Sequence, residues 1–291
     1  MLCDFLPRFL YKTGDKTLLI GGRYAMNGQT VRLGLIGKDV SKSLSESMHT
    51  FILKEWGYAC EYERFSVGKE DFDCAMRRLL GDFDGFNVTI PYKRDVMAYL
   101  DDVTGDALDY GAVNTVVPRL GKGFNTDGAG FMLMLRVVGI EVKGKRILVL
   151  GGGGSGRSTA AALKLAGARV SVYQRTKEKL LELCQELGVE AESNPYAGGY
   201  DILVNCTGVG MHDTEGRSPV GSVAFDGASA AIDLIYTPKE SECLRLAREA
   251  GVQTLNGESM LFYQAYFADC IYLGKEPCDE EAKALYEKYI K

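Results

Sequence analysis

From residue 31 onward, short apolar runs alternate with segments whose apolar residues recur at helical spacing. VRLGLIG (31–37) is a nearly unbroken apolar run closed by glycine, the pattern of a strand buried on both faces. SESMHTFILKEWG (45–57) then places Met48, Phe51, Ile52 and Leu53 near a helical repeat, with Gly57 as a stop. EYERF (61–65) reads as a strand, and KEDFDCAMRRLLG (69–81) has acids first and bases last, which matches a helix dipole. FNVTI (86–90), YKRDVMAYL (92–100) and AVNTVV (112–117) continue as strand, helix and strand.

A second series opens at KRILVL (145–150), followed by a glycine loop, an Ala-rich helix and the apolar strand ARVSVYQR (168–175). DILVNC, AAIDLIY and GVQTLN read as further strands, separated by the helical TKEKLLELCQELG and SECLRLAREAG. Two helical segments, SMLFYQAYFADCIYLG and EEAKALYEKYI, finish the chain. The βα alternation predicts an α/β fold with open sheets, and 291 residues suit two domains. The stretch before VRLGLIG fits neither series; residues 1–30 are expected to be an extension, disordered or preceding a true start at Met26.

Charge narrows the partners. Lys and Arg total 34 against 39 Asp and Glu, and no block of like charge gives a surface for nucleic acid. No apolar run approaches the roughly 20 residues of a membrane span; the best, 131–140, is broken by Arg136. Asp4, Pro7 and Arg8 interrupt what would be the apolar part of a secretory leader. The eight cysteines form no C-x-x-C pair and no zinc-like spacing, so they read as reduced thiols in a cytoplasm, and no metal site is expected. A small-molecule partner remains.

The glycine loop is the strongest chemical signal. Gly151, Gly153 and Gly156 satisfy G-x-G-x-x-G between the strand RILVL and a small-residue helix, with Gly154 and Ser155 inside the motif. There the backbone can approach a pyrophosphate, and the helix N-terminus faces the anion. The same stretch nearly matches a P-loop but carries Arg157 in place of the phosphate-binding lysine, which argues against NTP hydrolysis. At the end of the next strand, where an NAD site has Asp or Glu, stand Gln174, Arg175, Thr176 and Lys177. That favours NADP, with Arg175 on the adenine and 2′-phosphate; the alternative is a solvated helix start.

Only His49 and His212 are available for histidine chemistry; His49 falls inside a helix, where packing or capping is its expected role. Polar residues gather at segment ends instead: Ser43 and Ser45, Asn87, Thr89 and Lys93, Asn114, then Asn125 and Asp127. Ligands of open α/β sheets bind beyond strand ends, so these could converge on one hydroxyl-rich molecule. Each alone is also an ordinary turn residue, and Lys93 alone reads as a surface lysine beside Arg94.

Together these segments resemble the shikimate dehydrogenase family: SKSLS (41–45), GFNVTIPYK (85–93), GAVNT (111–115), NTDG (125–128), GGGGSGR (151–157), NCTGVGM (205–211), DLIY (233–236) and NGESMLFYQA (256–265) run in the family's order. The resemblance implies a substrate-binding domain, 31–126 plus 257–291, interrupted by a Rossmann-type NADP-binding domain, 127–256, with a cleft between them. It also implies that Ser43 and Ser45 hold a substrate carboxylate, that Asn87, Thr89, Asn114, Asp127 and Gln264 hold ring hydroxyls with Tyr236 nearby, and that Lys93 and Asp127 form the catalytic pair. Thr207, Gly257 and Met260 would join the glycine loop in holding the cofactor. The implied reaction is reduction of 3-dehydroshikimate with NADPH, on the route through chorismate to aromatic amino acids, by a cytoplasmic monomer or homodimer.

This sequence departs from the family pattern near the serines, where Asp39, Lys42 and Glu46 replace the usual Pro, His and Pro. Lys42 would aid carboxylate binding or offset Glu46. Gly208 stands where Pro is frequent, which would loosen the nicotinamide-side loop. Two alternatives stay open: a quinate/shikimate dehydrogenase with broader substrate or NAD use, and a non-catalytic NADP-binding sensor. Lys93 and Asp127 weigh against the sensor, which has no evident need for a proton donor.

Overall fold

The computed structural model describes residues 30–196 and 198–291. The expectations for the extension, for Met26 and for a secretory leader lie outside the described residues, except that Thr30 opens the first strand. The chain divides into two compact units, one running through Gly130 and resuming over Leu261–Lys291, the other Phe131–Met260. Both crossings fall inside helices rather than at the 126/127 and 256/257 lines read from the sequence.

In the first unit, β1 (Thr30–Gly37), β2 (Ala59–Ser66), β3 (Gly85–Val88), β4 (Asp102–Val103), β5 (Thr115–Val117) and β6 (Lys122–Phe124) form one sheet in the order β2-β1-β3-β5-β6-β4. β1 pairs parallel with β2 and β3, while β5 runs antiparallel to β3 and β6. Helices α1 (Ser45–Glu55), α2 (Phe72–Asp82) and the short α3 (Asp106–Tyr110) lie between the strands in sequence. Successive residues of β1 and β5 serve opposite faces, as the strand period requires. Ile36 and Val116 pack with Phe72, Met76 and Leu79 of α2, whereas Leu33 and Val117 pack with Leu53 of α1 and Ala268 and Tyr272 further on.

YKRDVMAYL does not form the expected helix. Its residues make turns and a 310 segment, Asp95–Tyr99, because the Lys93 carbonyl accepts from Val113 N (2.8 Å) instead of from the following helical turn.

The second unit holds β7 (Arg146–Leu150), β8 (Arg169–Tyr173), β9 (Glu190–Glu192), β10 (Ile202–Asn205), β11 (Ala230–Asp233) and β12 (Gln253–Asn256), all parallel, in the order β12-β11-β10-β7-β8-β9. α4 (Asp127–Val137) leads in; α5 (Gly154–Leu165), α6 (Lys177–Leu187) and α7 (Glu242–Glu249) connect the strands. β7 comes first in the chain yet lies between β8 and β10. The chain therefore runs outward from it through β8 to β9, then crosses to its other side at β10, and this reversal opens a crevice at the carboxyl end of β7, where Gly151 begins. Helix α8 (Glu258–Leu273) returns the chain to the first unit, and α9 (Asp279–Tyr289) ends it.

Candidate active site

The topology of the first sheet brings the polar loops to one edge. The segments holding Ser43 and Thr89 follow the carboxyl ends of β1 and β3, which are parallel. Asn114 precedes β5, antiparallel to β3, and Asp127 follows β6, antiparallel to β5, so both come to that edge.

Lys93 is 6% and Asp127 5% exposed, and Lys93 Nζ donates to Asp127 Oδ2. The lysine is buried because its neighbour anchors the turn: Tyr92 stacks on Phe72 at 4.2 Å between centroids and donates to the Val67 carbonyl (2.7 Å). Asp127 begins α4, and its N–H donates to Asn125 Oδ1 (3.0 Å), while Asn125 Nδ2 donates to the Ala112 carbonyl (2.8 Å).

Asn114 occupies the middle. Its Nδ2 donates to Asp127 Oδ1 (2.7 Å) and Thr126 Oγ1 (3.0 Å), and its Oδ1 accepts from Thr126 N (2.9 Å) and Thr115 Oγ1 (2.8 Å). Gln264 on α8 places Oε1 3.4 Å from both Asn114 Nδ2 and Thr126 Oγ1. Asn87 donates to the Asn114 carbonyl (3.1 Å), whereas its buried Oδ1 has no partner and is an acceptor for a hydroxyl. Thr89 is half-buried, its backbone pinned to the Ile36 carbonyl (2.9 Å). An ammonium, a carboxylate and three amides share this small region, a donor and acceptor set suited to a polyhydroxylated molecule.

Ser43 and Ser45 are bonded to each other at the start of α1: Ser43 Oγ donates to Ser45 Oγ (3.0 Å) and accepts from Ser45 N (3.2 Å). Glu46 is offset by Arg64 (3.1 Å), not by Lys42, which is exposed. Tyr236 lies after β11 in the second unit, half-buried, with burial raising its phenol above the usual range.

The second unit carries the glycine loop in the crevice after β7. Gly151 has φ +99° and donates to the Tyr173 carbonyl (2.8 Å). Gly153 stands at the N-cap of α5, and a Cβ there would meet nothing within 4 Å, so the backbone is open to a close-approaching ligand. Gln174 reaches over the loop: a Cβ on Gly152 would lie 2.3 Å from its Oε1. Arg175, Thr176 and Lys177 are exposed past β8, at the N-terminal end of α6. Open glycine backbone, a helix N-terminus and two cations fit a dinucleotide with an extra phosphate.

Gly156 lets α5 fold back on its own loop, since a Cβ there would lie 1.9 Å from the Gly151 carbonyl oxygen. Gly156→Ala is therefore expected to push the helix off the loop and weaken NADP binding by more than about tenfold, near 1.4 kcal/mol. Calorimetric titration with NADP checks this; an unchanged Kd would mean that the close contact does not shape the site.

Sequence reasoning missed what holds the NCTGVGM loop. Asp233 accepts from Asn205 Nδ2 (3.0 Å), Ile235 N (3.0 Å) and Ser241 Oγ (2.5 Å), and Ser241 also caps α7. Asn205 Oδ1 in turn accepts from Thr207 N (2.9 Å) and Oγ1 (2.7 Å), and Thr207 Oγ1 accepts from Val209 N (3.1 Å). Burial raises the Asp233 carboxyl above its usual range, opposed by those three donors. The loop expected to be loose at Gly208 is thus tied on either side of it. Gly257 closely approaches the residue just past β11, with a Cβ there 2.2 Å from the Leu234 carbonyl oxygen, and Met260 is buried in α8.

Known proteins are similar to this chain over most of its length. The family described as shikimate dehydrogenase substrate binding domain matches residues 35–116. Shikimate dehydrogenase (NADP(+)) of Carboxydothermus hydrogenoformans is 38% identical over 267 residues, covering 87% of this chain and 95% of that protein. Shikimate 5-dehydrogenase from Thermus thermophilus, solved in complex with NADP(H) and shikimate, is 36% identical with a TM-score of 0.81, over 89% of this chain and 99% of that one. Shikimate 5-dehydrogenase from Listeria monocytogenes, solved with shikimate and NAD, is 26% identical with a TM-score of 0.75, over 92% of this chain and 99% of that one.

Proposed function

The chain belongs to the shikimate dehydrogenase family, and we propose on that premise that it catalyses the reversible, NADPH-dependent reduction of 3-dehydroshikimate to shikimate, on the route through chorismate to aromatic amino acids. The observation that carries this reading is the buried Lys93–Asp127 pair set among Asn87, Asn114 and Gln264. The first unit is the substrate domain and the second the cofactor domain.

When bound, NADPH supplies the hydride that reduces the carbonyl carbon of the substrate. As that carbon is reduced, the carbonyl π electrons move onto oxygen, and the Lys93 ammonium stabilises the developing alkoxide and donates a proton to it. Lys93 is left neutral and recovers a proton from solvent; in the oxidative direction it accepts the hydroxyl proton. Asp127 orients the ammonium and accepts from a substrate hydroxyl, while Asn114 fixes Asp127 through Oδ1. Asn87 Oδ1, Thr89 and Gln264 take the remaining hydroxyls, and Ser43 and Ser45 donate to the carboxylate, with Tyr236 supplying a further phenol. On the cofactor, Gly151, Gly153, Gly154, Ser155 and Gly156 receive the pyrophosphate. Gln174, Arg175, Thr176 and Lys177 receive the adenosine with its 2′-phosphate. Thr207, Gly257 and Met260 border the nicotinamide.

No helix among the described residues is long and apolar enough to cross a membrane, and no disulfide joins the described cysteines. The proposed enzyme is cytoplasmic and works as a monomer or homodimer on a small molecule, not on nucleic acid. Absorbance at about 340 nm, the nicotinamide band, with shikimate or quinate and NADP or NAD in all four pairs, tests the reading. Turnover of shikimate with NADP supports it; quinate turnover at a comparable rate moves the protein to a broader subgroup. No turnover in any pair, with NADP bound, refutes it in favour of a sensor.

A further inference from the structure

The proposed reaction leaves His49 and Asp269 without a role, although both side chains are wholly buried. His49 sits on α1 four residues after Ser45; Asp269 sits on α8 five residues after Gln264. His49 Nδ1 lies 2.6 Å from Asp269 Oδ1. The imidazole stacks on Tyr62 at 5.5 Å between centroids and leans on Tyr272 at 6.3 Å. Among the remaining polar atoms of this cluster, His49 Nε2, Asp269 Oδ2 and the Tyr272 hydroxyl have no hydrogen-bond partner, while the buried Tyr62 hydroxyl faces Ser45. Burial raises the Asp269 carboxyl above its usual range, and His49 opposes the shift.

Such a cluster is a poor source of stability. Charged or polar groups taken out of water with half their bonding capacity unmet are commonly less stable than apolar residues of similar volume. Adhesion between α1 and α8 already has apolar sources: Phe51 lies 6.4 Å from Phe262, and Leu53 packs with Ala268 and Tyr272. Those contacts are non-directional and tolerate sliding. A single short bond between fixed atoms does not, and setting register is the best-attested use of a buried polar pair.

We propose that His49 and Asp269 are a positioning pair that locks α1 against α8, so that Ser45 and Gln264, four and five residues away along the same two helices, present their polar groups to one substrate at a fixed separation. The proposal rests on the assignment of Ser45 and Gln264 to shikimate. It predicts a KM effect confined to shikimate, since the residues assigned to NADP lie in the second unit.

The test is the apolar double variant His49→Phe/Asp269→Leu. Its expected Tm is equal to or above that of the parent, with shikimate KM raised about tenfold by the loss of register and NADP KM and kcat within about twofold. Asp269→Asn keeps an acceptor for His49 Nδ1–H and is expected to keep the parent's shikimate KM. Asp269→Leu removes the partner of His49 Nδ1 and is expected to raise it, which provides a second readout if the double variant does not fold. Trp56, the only tryptophan, sits at the end of α1 with its ring 5.6 Å from Tyr266 of α8. Acrylamide quenching of its fluorescence reads the helix contact without any turnover and is expected to rise in the double variant. Folded variants with unchanged shikimate KM overturn the proposal, as does an Asp269→Asn protein as impaired as the double. If the parent itself fails to turn over shikimate while Trp56 quenching rises in the double variant, the lock stands and the assignment of the reaction falls.

Discussion

Lys93→Ala is expected to lower turnover about 10²–10⁴-fold, the range for loss of a general acid, while NADP affinity stays nearly intact. The size of the effect follows from the neighbours. Asn87, Asn114 and Gln264 can hold hydroxyls through neutral amides, but none can hand a proton to an alkoxide and remain stable. Asp127 already accepts from Lys93 and Asn114 and, as a carboxylate, has no proton to give. Removing the ammonium also strands a buried carboxylate, which destabilises the protein by an amount on the order of 3–5 kcal/mol unless the group protonates. The double variant Lys93→Ala/Asp127→Asn separates the two consequences, because it removes the stranded charge while leaving the proton donor absent. Its thermal stability should recover and its turnover should not. Steady-state NADPH absorbance, with calorimetric NADP titration as control, reads both; turnover within about threefold of the parent, against the loss expected for a general acid, would remove Lys93 from the mechanism.

Lys93 also shows where the sequence was legible and where it was not. VRLGLIG announced β1 because that strand is buried on nearly its whole length, so local hydrophobicity equals tertiary burial. The glycine loop was equally plain, since strand, glycines and helix are contiguous. Lys93, by contrast, looks locally like a solvent-facing residue beside Arg94. Its burial comes from Val113, bonded to its carbonyl, and from Tyr92 wedged onto Phe72. The resemblance to a family, not periodicity, singled it out. The same long-range bond undid the helix expected over 92–100. Asp233 could not be found as the support of the NCTGVGM loop because it meets Asn205 only through the pairing of β10 with β11. Asp269 is 220 residues from His49, and no pattern in either segment points to the other. The serine pair was seen, but the partner of Glu46 was not, since Arg64 reaches it from β2.

Arg175→Asp is expected to reverse the cofactor preference. A charged hydrogen bond to the 2′-phosphate contributes about 1.5–3 kcal/mol, so its loss should weaken NADP by about tenfold to a hundredfold. The substitution also places a carboxylate at the end of β8, where it can accept from the ribose hydroxyls of NAD and repels the extra phosphate of NADP. The two effects multiply, and the ratio of kcat/KM values for NADP over NAD should fall about 10²–10³-fold. Arg175 is exposed, so the parent's preference should itself shrink as salt rises, whereas that of the Asp variant should change far less. Arg175→Lys distinguishes charge from shape: it keeps the cation but loses the planar fork that can stack on adenine and grip a phosphate with two donors. An intermediate preference in that variant would assign part of the discrimination to stacking. If Arg175→Asp left the NADP KM unchanged, the phosphate would have to be held elsewhere, and the assignment of the β8 end to the 2′-phosphate would be wrong.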